Sequence, residues 1–201
     1  MRSLNKALRK AGIHTKLLRA VDTRATKSGR RPTGEFESNR DPRWNLKLAD
    51  PQYGTELDCR IIYLRLWGMI FCFTNAPSIP QDTRMALESY LGTPIVPGTF
   101  RDALTLKLLD YYAFVAEAEN TKHGRSAFHI GHTDPTAVPR HTADSVAWRS
   151  HRSNMIQGDL TLPQARTRIV EIIARYFELG EVSITPATAI ITEKPPTMPE
   201  E

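Results

Sequence analysis

Four of the chain's six histidines lie in one polar stretch, at positions 129, 132, 141 and 151. Asp134, Ser145 and Asn154 belong to the same stretch. A neutral imidazole can take a proton from water near pH 7, and carboxylate and amide oxygens are ligands for hard divalent cations. These side chains could therefore activate a water for hydrolysis, hold a metal ion, or only line a polar loop.

Short elements must position this stretch. The residue pattern predicts a strand over 128–131, a loop with two prolines, a second strand over 145–148 and a helix from Ser150 onward. A unit of this size is too small to build a core of its own. A metal ion or a phosphate group is therefore expected to organise its polar side chains.

The stretch resembles the core of the HNH, or ββα-metal, nucleases. Three segments carry the resemblance in the family's order, and they read GHTDP, RHTADSV and NMIQGD. The resemblance covers about 35 of the 201 residues. It implies that His132 is the general base, that Asn154 is a metal ligand on the helix, and that Ser145 holds the place of the family's central Asn. Gln157 and Gly158 complete an N-x-x-Q-G signature.

The sequence departs from the family at two positions. Gly131 precedes the base, where the family usually has an Asp that binds the metal, and His129 and Asp134 are the nearby substitutes. The hydroxyl of Ser145 can orient the loop but cannot make the two-ended hydrogen bonds of an Asn amide. The site is therefore expected to lack one ligand of the family, or to replace it.

Other residues of the stretch are expected to assist. His141 could support the base or contact a phosphate, and Arg149 and Arg152 could bind phosphates, although arginines on a helix face are often only solvated. The resemblance implies hydrolysis with one Mg²⁺ or Mn²⁺ ion as Lewis acid. A structural zinc site on His129, His132 and His141 is disfavoured, because such sites are usually completed by cysteine and none is nearby.

The charge distribution points to a polyanion partner. The first 31 residues contain ten Lys or Arg and one acidic residue, so they carry +9, while the remainder carries −4. A basic arm of this kind suggests binding to double-stranded DNA, with an anionic membrane as second choice, and Arg30 and Arg31 are candidate contacts. A mitochondrial transit peptide or a merely solvated basic helix would have a similar composition.

Composition also limits the class of protein. The longest apolar run, residues 66–73, is far shorter than the ~20 residues that cross a bilayer. The two cysteines, Cys59 and Cys72, lie in an apolar segment, where a buried thiol is the common outcome. A cytoplasmic protein without a membrane partner is therefore expected.

Periodicity and turn residues predict the other elements. Helices are expected over 3–11, 82–90, 100–119 and 161–180. Residues 22–44 have the composition of a loop, so an ordered core is expected to begin near Trp44. Residues 58–73 fit one or two buried strands or a buried helix.

These observations predict an α+β protein in which a small HNH-like ββα module is flanked by helices and preceded by a mixed recognition region. The predicted regions are a basic arm and flexible connection (1–43), a mixed α/β recognition and scaffold region (44–122), the nuclease module with its following helix (123–180) and a partly disordered tail (181–201). The predicted function is that of a metal-dependent, restriction-type DNA endonuclease that acts as a homodimer.

Two alternatives stay open. One is a phage or mobile-element nicking or homing HNH nuclease. The other is a non-catalytic nucleic-acid-binding protein that keeps the ββα unit as a structural element, and Gly131 and Ser145 are the residues that motivate it.

Overall fold

The computed structural model describes residues 2–29, 40–120, 126–184 and 191–193. The chain forms two compact units, residues 1–162 and residues 163–201. The first unit contains α1 (Arg2–Lys10), α2 (Thr15–Thr26), a 3-10 turn (Arg43–Asn45), α3 (Glu56–Ile70), α4 (Gln81–Leu91), α5 (Tyr111–Glu119), β1 (Phe128–His132), β2 (Val146–Ser150) and α6 (His151–Gln157). The second contains α7 (Leu162–Glu178) for nearly its whole length, β3 (Val182–Ile184) and β4 (Ile191–Glu193). The fold is mixed α+β, as expected.

Helix α3 lies at the centre of the first unit's core. Thr55 caps its first turn by accepting a hydrogen bond from the backbone N–H of Asp58 at 3.0 Å. A helix that is apolar on several sides must be buried on several sides, and the buried side chains of α3 include Cys59, Ile62, Tyr63, Leu66, Trp67, Met69 and Ile70. The segment that the sequence left open between strand and helix is therefore a helix.

Helices α1 and α2 pack into the same core, which corrects the expectation that order begins near Trp44. Leu8, Leu17, Val21 and Ala25 are at most 1% exposed. Leu17, Val21 and Ala25 recur every four residues, so they form one apolar stripe on the helix, although basic residues lie between them in the sequence. Helix α2 continues to Thr26, so it includes the first five residues of the segment predicted as loop. Arg30 and Arg31 lie outside the described residues.

The predicted helix over 100–119 is wrong in its first half. Helix α5 begins only at Tyr111, where Asp110 caps it by accepting from the N–H of Ala113 at 2.8 Å. Before that point the backbone turns around Asp102, whose carboxylate accepts from the N–H groups of Leu104 and Thr105 at 3.0 Å each. Such side-chain bonds to the local backbone compete with helix formation.

The other predicted helices are confirmed. Helix α4 ends at Leu91 and is followed by its C-cap Gly92, which has a φ of 81°. Helix α7 contains Pro163 in its first turn, where the missing N–H is harmless. The sequence did not predict the short antiparallel pair β3–β4, in which Ser183 lies opposite Thr192. No helix in the described ranges is long and apolar enough to cross a membrane.

Candidate active site

The strand, loop, strand and helix predicted from the polar stretch are present, and residues 128–157 are called the ββα unit below. β1 and β2 are antiparallel, with Gly131 opposite Ala147. Ser150 caps α6 by accepting from the N–H of Ser153 at 3.1 Å. Both strands are short, so the unit depends on neighbouring elements for its support.

Two buried contacts attach the ββα unit to the helices. The indole N–H of Trp148, which is 0% exposed, donates to the carbonyl of Leu66 in α3 at 2.9 Å. The carboxylate of Asp102 accepts from the backbone N–H of Ser150 at 2.7 Å. Burial alone would raise the pKa of Asp102, but its hydrogen bonds from Ser150, Thr105, Ser153 and Leu104 lower that pKa overall. The junction between β2 and α6 is therefore fixed by an ionised carboxylate.

The start of β1 is held by Glu117 of α5. Its carboxylate accepts from the N–H groups of Ala127 at 2.5 Å and Phe128 at 3.1 Å. Arg24 of α2 pairs with the same carboxylate at 3.2 Å and donates to the carbonyl of Phe128 at 2.9 Å. The strand pair is thus tied to three different helices, α2, α3 and α5.

His132 and His141 form a pair at the end of β1. The ring of His141 is fully buried, and its Nε2 lies 2.8 Å from the carbonyl oxygen of Ala25 in α2. Its Nδ1 lies 3.4 Å from Nε2 of His132. Gly54 makes this position possible, because a Cβ there would lie 2.9 Å from the His141 carbonyl oxygen and 3.0 Å from its ring.

Burial keeps both imidazoles neutral. Burial, together with the smaller effects of the nearby charges of Arg140, Arg43 and Arg149, lowers the pKa of His132 to about 3. Burial likewise lowers the pKa of His141 to about 3, with Arg43 as the next largest cause. Neither ring is protonated at neutral pH.

The hydrogen-bond partners determine the tautomers of the pair. A carbonyl oxygen only accepts, so Nε2 of neutral His141 carries the hydrogen and its Nδ1 has the lone pair. Nε2 of His132 must then donate to that Nδ1. The lone pair of His132 consequently resides on Nδ1, which is the nitrogen that can take a proton.

A pocket of about 130 Å³ is lined in part by His132. Among the described residues it is lined by Ile130, Gly131, His132, Pro135, Asn154, Gln157 and Gly158, none of which is a carboxylate. Asn154 donates from Nδ2 to the carbonyl of Ile130 at 3.0 Å, and Gln157 donates from Nε2 to the carbonyl of His132 at 2.8 Å. The signature residues of α6 therefore hold the strand that carries His132.

Gly131 leaves room for the side chain of Arg149. A Cβ at Gly131 would lie 2.4 Å from Cγ and 3.0 Å from Nε of Arg149, and 2.7 Å from Oδ1 of Asn154. Arg149 is only 2% exposed. A buried arginine therefore occupies the space into which an Asp at this position would project.

The remaining predicted site residues lie around the pocket without lining it. Nε2 of His129 lies 2.9 Å from the carbonyl oxygen of Ser126, and its ring contacts that of His151, with centroids 4.8 Å apart and planes tilted by 35°. Asp134 accepts from the N–H of Thr136 at 2.9 Å and from its hydroxyl, and these bonds lower the pKa of Asp134. The structure does not bring His129, Asp134 and Asn154 together, and the described residues contain no group of three or more His, Cys, Asp or Glu that could hold a metal ion.

Ser145 and Arg152 have different surroundings. The Ser145 hydroxyl donates to the carbonyl of Arg140, and the Ser145 carbonyl accepts from the N–H of Thr133 at 2.9 Å. Ser145 therefore organises the loop that precedes β2. Arg152 is exposed on α6.

Sequence reasoning missed Arg43, Arg140 and Asp102. Arg43 is 6% exposed and donates to the carbonyl of Gln52 at 3.0 Å, and Arg140 donates to the carbonyl of Pro135 at 3.1 Å. Arg43 and Asp102 lie far from the histidine stretch in sequence, and no motif marks them. Arg140 lies within the stretch beside His141, which was the one available signal.

The fold and the pocket together define an α+β protein with a buried histidine pair at the end of a small ββα unit. No protein-family model matches the chain, and no curated protein matches it. Among solved structures, the fold is similar to that of a type II restriction endonuclease, with a TM-score of 0.63 and 17% sequence identity over 85% of this chain and 81% of that chain. At this identity the comparison establishes a shared fold.

Proposed function

We propose that the chain is a restriction-type DNA endonuclease that hydrolyses phosphodiester bonds with His132 as general base. The observation that carries the proposal is the histidine pair, in which His141 holds Nε2 of His132 and leaves Nδ1 as the proton acceptor of a residue that lines the pocket. The fold shared with a type II restriction endonuclease supports it.

The proposed reaction consumes one water for each bond broken. Nδ1 of His132 takes a proton as the water oxygen bonds to phosphorus, and the bond from phosphorus to the leaving sugar oxygen breaks. The leaving oxygen takes a proton from solvent, and the imidazolium returns its proton to solvent. Proton transfer to a positioned base contributes ~10²–10⁴ in rate when the pKa of the base lies near the working pH. The pKa of His132, about 3 in the free protein, must therefore be raised in the complex by the negative phosphate beside it. Arg43, Arg140 and Arg149 surround the base with the positive charge that a phosphate requires.

Finer features are part of the same proposal. Assignment to the HNH type rests on the resemblance of the ββα unit. That resemblance also implies dependence on Mg²⁺ or Mn²⁺, an untested expectation that the charge around the pocket opposes and that cleavage in EDTA decides below. A cytoplasmic location stays a prediction. A homodimer is proposed because one active site in each chain would cut one strand, and two-fold symmetry would match a palindromic target.

Cleavage of supercoiled plasmid by the full chain tests the proposal, with the ends of the products sequenced. His132→Ala is expected to slow cleavage by ~10²–10⁴ while affinity for duplex DNA changes little, because the base acts on water. His14→Ala is the matched control, since His14 is an exposed histidine at the start of α2. A wild-type protein that binds duplex DNA and cuts none of it, with or without Mg²⁺ or Mn²⁺, would instead be a non-catalytic binder.

A further inference from the structure

The position before the base differs from the HNH pattern in a way that changes the charge of the pocket. Atoms of Arg149 and Asn154 lie 2.4 and 2.7 Å from the place of a Cβ on Gly131, and real Cβ atoms essentially never approach other atoms closer than 3.0 Å. The close atom of Arg149 is Cγ, near the backbone, so it cannot swing aside cheaply. The position of the buried Arg149 side chain therefore requires glycine at residue 131. An Asp ligand at that position is excluded.

Two further arginines add to this charge. Arg43 is 6% exposed, and its Nε has no hydrogen-bond partner among the described residues. Arg140 is held by the carbonyl of Pro135. Charges in a poorly solvated site interact far more strongly than charges in water. None of the three arginines lines the pocket itself. Arg149 lies against Gly131, Arg140 donates to the carbonyl of Pro135, and Arg43 is close enough to lower the pKa of His132. With no carboxylate among the described lining residues, the charge of these arginines acts through space to repel a divalent cation and attract an anion.

We propose that this pocket is a phosphate-binding site in which Arg149, Arg43 and Arg140 supply the positive charge, in place of a carboxylate-bound divalent ion. The ligand class is a phosphate group, and on the proposed function it is the phosphodiester of the DNA substrate. On the proposed function, these arginines stabilise the negative charge of the phosphate during hydrolysis. The full chain then needs no added metal to hold the phosphate.

Thermal unfolding of the full chain in EDTA tests the binding directly, with inorganic phosphate as the probe. Phosphate is expected to raise Tm by about 2–4 °C above sodium chloride of matched ionic strength, because it binds the folded state. Arg149→Met, which keeps the apolar stem, is expected to lose that rise. Arg60→Met is the matched control, because Arg60 is exposed on α3 and forms an ion pair with Glu56 four residues earlier.

If Arg149→Met does not fold, the wild-type protein alone still tests whether the pocket binds phosphate. A rise in Tm with MgCl₂ and none with phosphate would overturn the proposal. An undiminished phosphate effect in folded Arg149→Met would overturn it too, since the anion would then bind elsewhere.

Plasmid cleavage separates this inference from the proposed function. Wild-type cleavage in EDTA is expected to stay within about threefold of that in Mg²⁺. The double variant Gly131→Asp, Arg149→Ala removes the clash with Arg149 and introduces a carboxylate, while the end of the Asn154 side chain must still shift from the new Cβ. Its cleavage is expected to require Mg²⁺. Wild-type cleavage that EDTA abolishes and Mg²⁺ restores would overturn the inference and leave the endonuclease standing. Phosphate stabilisation without cleavage under either condition would support the site and reject the endonuclease.

Discussion

The helical layer formed by α1, α2 and α3 and the ββα unit have buried interiors of opposite character. In the helical layer the fully buried side chains are almost all apolar or aromatic, among them Leu8, Leu17 and Leu66. In the ββα unit, residues that are at most 4% exposed include His141, Arg149, Ser153 and Gln157. One region thus buries apolar surface, and the other buries groups that need hydrogen bonds or charge partners.

This difference shows how the site is supported. Burial of apolar area is non-directional and stabilises the helices, whereas the polar interior of the ββα unit is directed by single atoms that the helices provide. The carbonyls of Ala25 and Leu66 accept from His141 and Trp148, at 2.8 and 2.9 Å. The helical layer therefore supplies both the stability and the hydrogen-bond acceptors that fix the position of the histidine pair.

The largest expected effect comes from the helical layer. Leu66→Ala removes a side chain that is 0% exposed and is expected to lower the free energy of unfolding by about 2–5 kcal/mol. Urea denaturation followed by circular dichroism measures it. Leu57→Ala is the control in the same helix, since Leu57 is 68% exposed and its loss is expected to cost less than about 0.5 kcal/mol. Equal losses in the two variants would contradict the assignment of the core.

Acid is expected to destabilise the protein through the ββα unit. His132 and His141 have folded pKa values of about 3 against an ordinary 6.5, so the unfolded chain binds more protons below pH 6.5. Their contribution is present above pH 6.5 and is lost as pH falls toward 3. Between pH 7 and pH 5 the two together should lower the free energy of unfolding by about 2–4 kcal/mol.

Urea denaturation at a series of pH values measures that loss. His141→Asn should reduce the dependence by about half, because it removes one of the two buried groups. A free energy of unfolding that is flat from pH 7 to pH 5 would show that the rings titrate normally.

A smaller effect is expected at the junction of the two regions. Asp102→Ala leaves the N–H groups of Ser150, Leu104 and Thr105 without their acceptor and is expected to cost about 1–3 kcal/mol. Cleavage should fall as well, because Ser150 caps the helix that carries Asn154. Asp82→Ala, in the exposed first turn of α4, is the control. A loss of stability no greater than that of Asp82→Ala would argue that water replaces the carboxylate.

Sequence reasoning was most successful where structure is local. Ser150 is a typical N-cap, and the alternation of residues 128–132 and 146–150 is that of short strands, so the ββα unit could be placed to within one or two residues. Pro163 and Gly180 likewise mark the ends of the helix that follows.

Long-range contacts account for what sequence reasoning missed. Asp102 lies in a segment that was predicted as helix, but its carboxylate accepts from the backbone of Ser150, 48 positions later in the chain, at the end of β2. The carbonyl of Ala25 lies 116 positions from His141, and a backbone acceptor has no residue type that a motif could recognise. Gly131 was identified from the sequence as a departure from the family's Asp. That Arg149 fills the space of the missing side chain depends on the pairing of the two strands, which the sequence does not reveal.

The smallest expected effect concerns the basic surface of the helical layer. Lys6, Arg9 and Lys10 are exposed on α1, while Leu8 between them is buried. Deleting the first 31 residues would remove part of the core, so substitution is the appropriate test. If each cation meets a DNA phosphate, replacing all three with Gln should flatten the dependence of log K on log salt by up to about 3, at ~0.9 for each phosphate. Preference for a cognate sequence should change less, because backbone contacts do not read bases.

The control replaces Lys47, Arg60 and Lys107, which are exposed elsewhere. A salt titration with cognate and scrambled duplexes compares the two triple variants, and an equal slope in both would assign the basic surface of α1 to solvent.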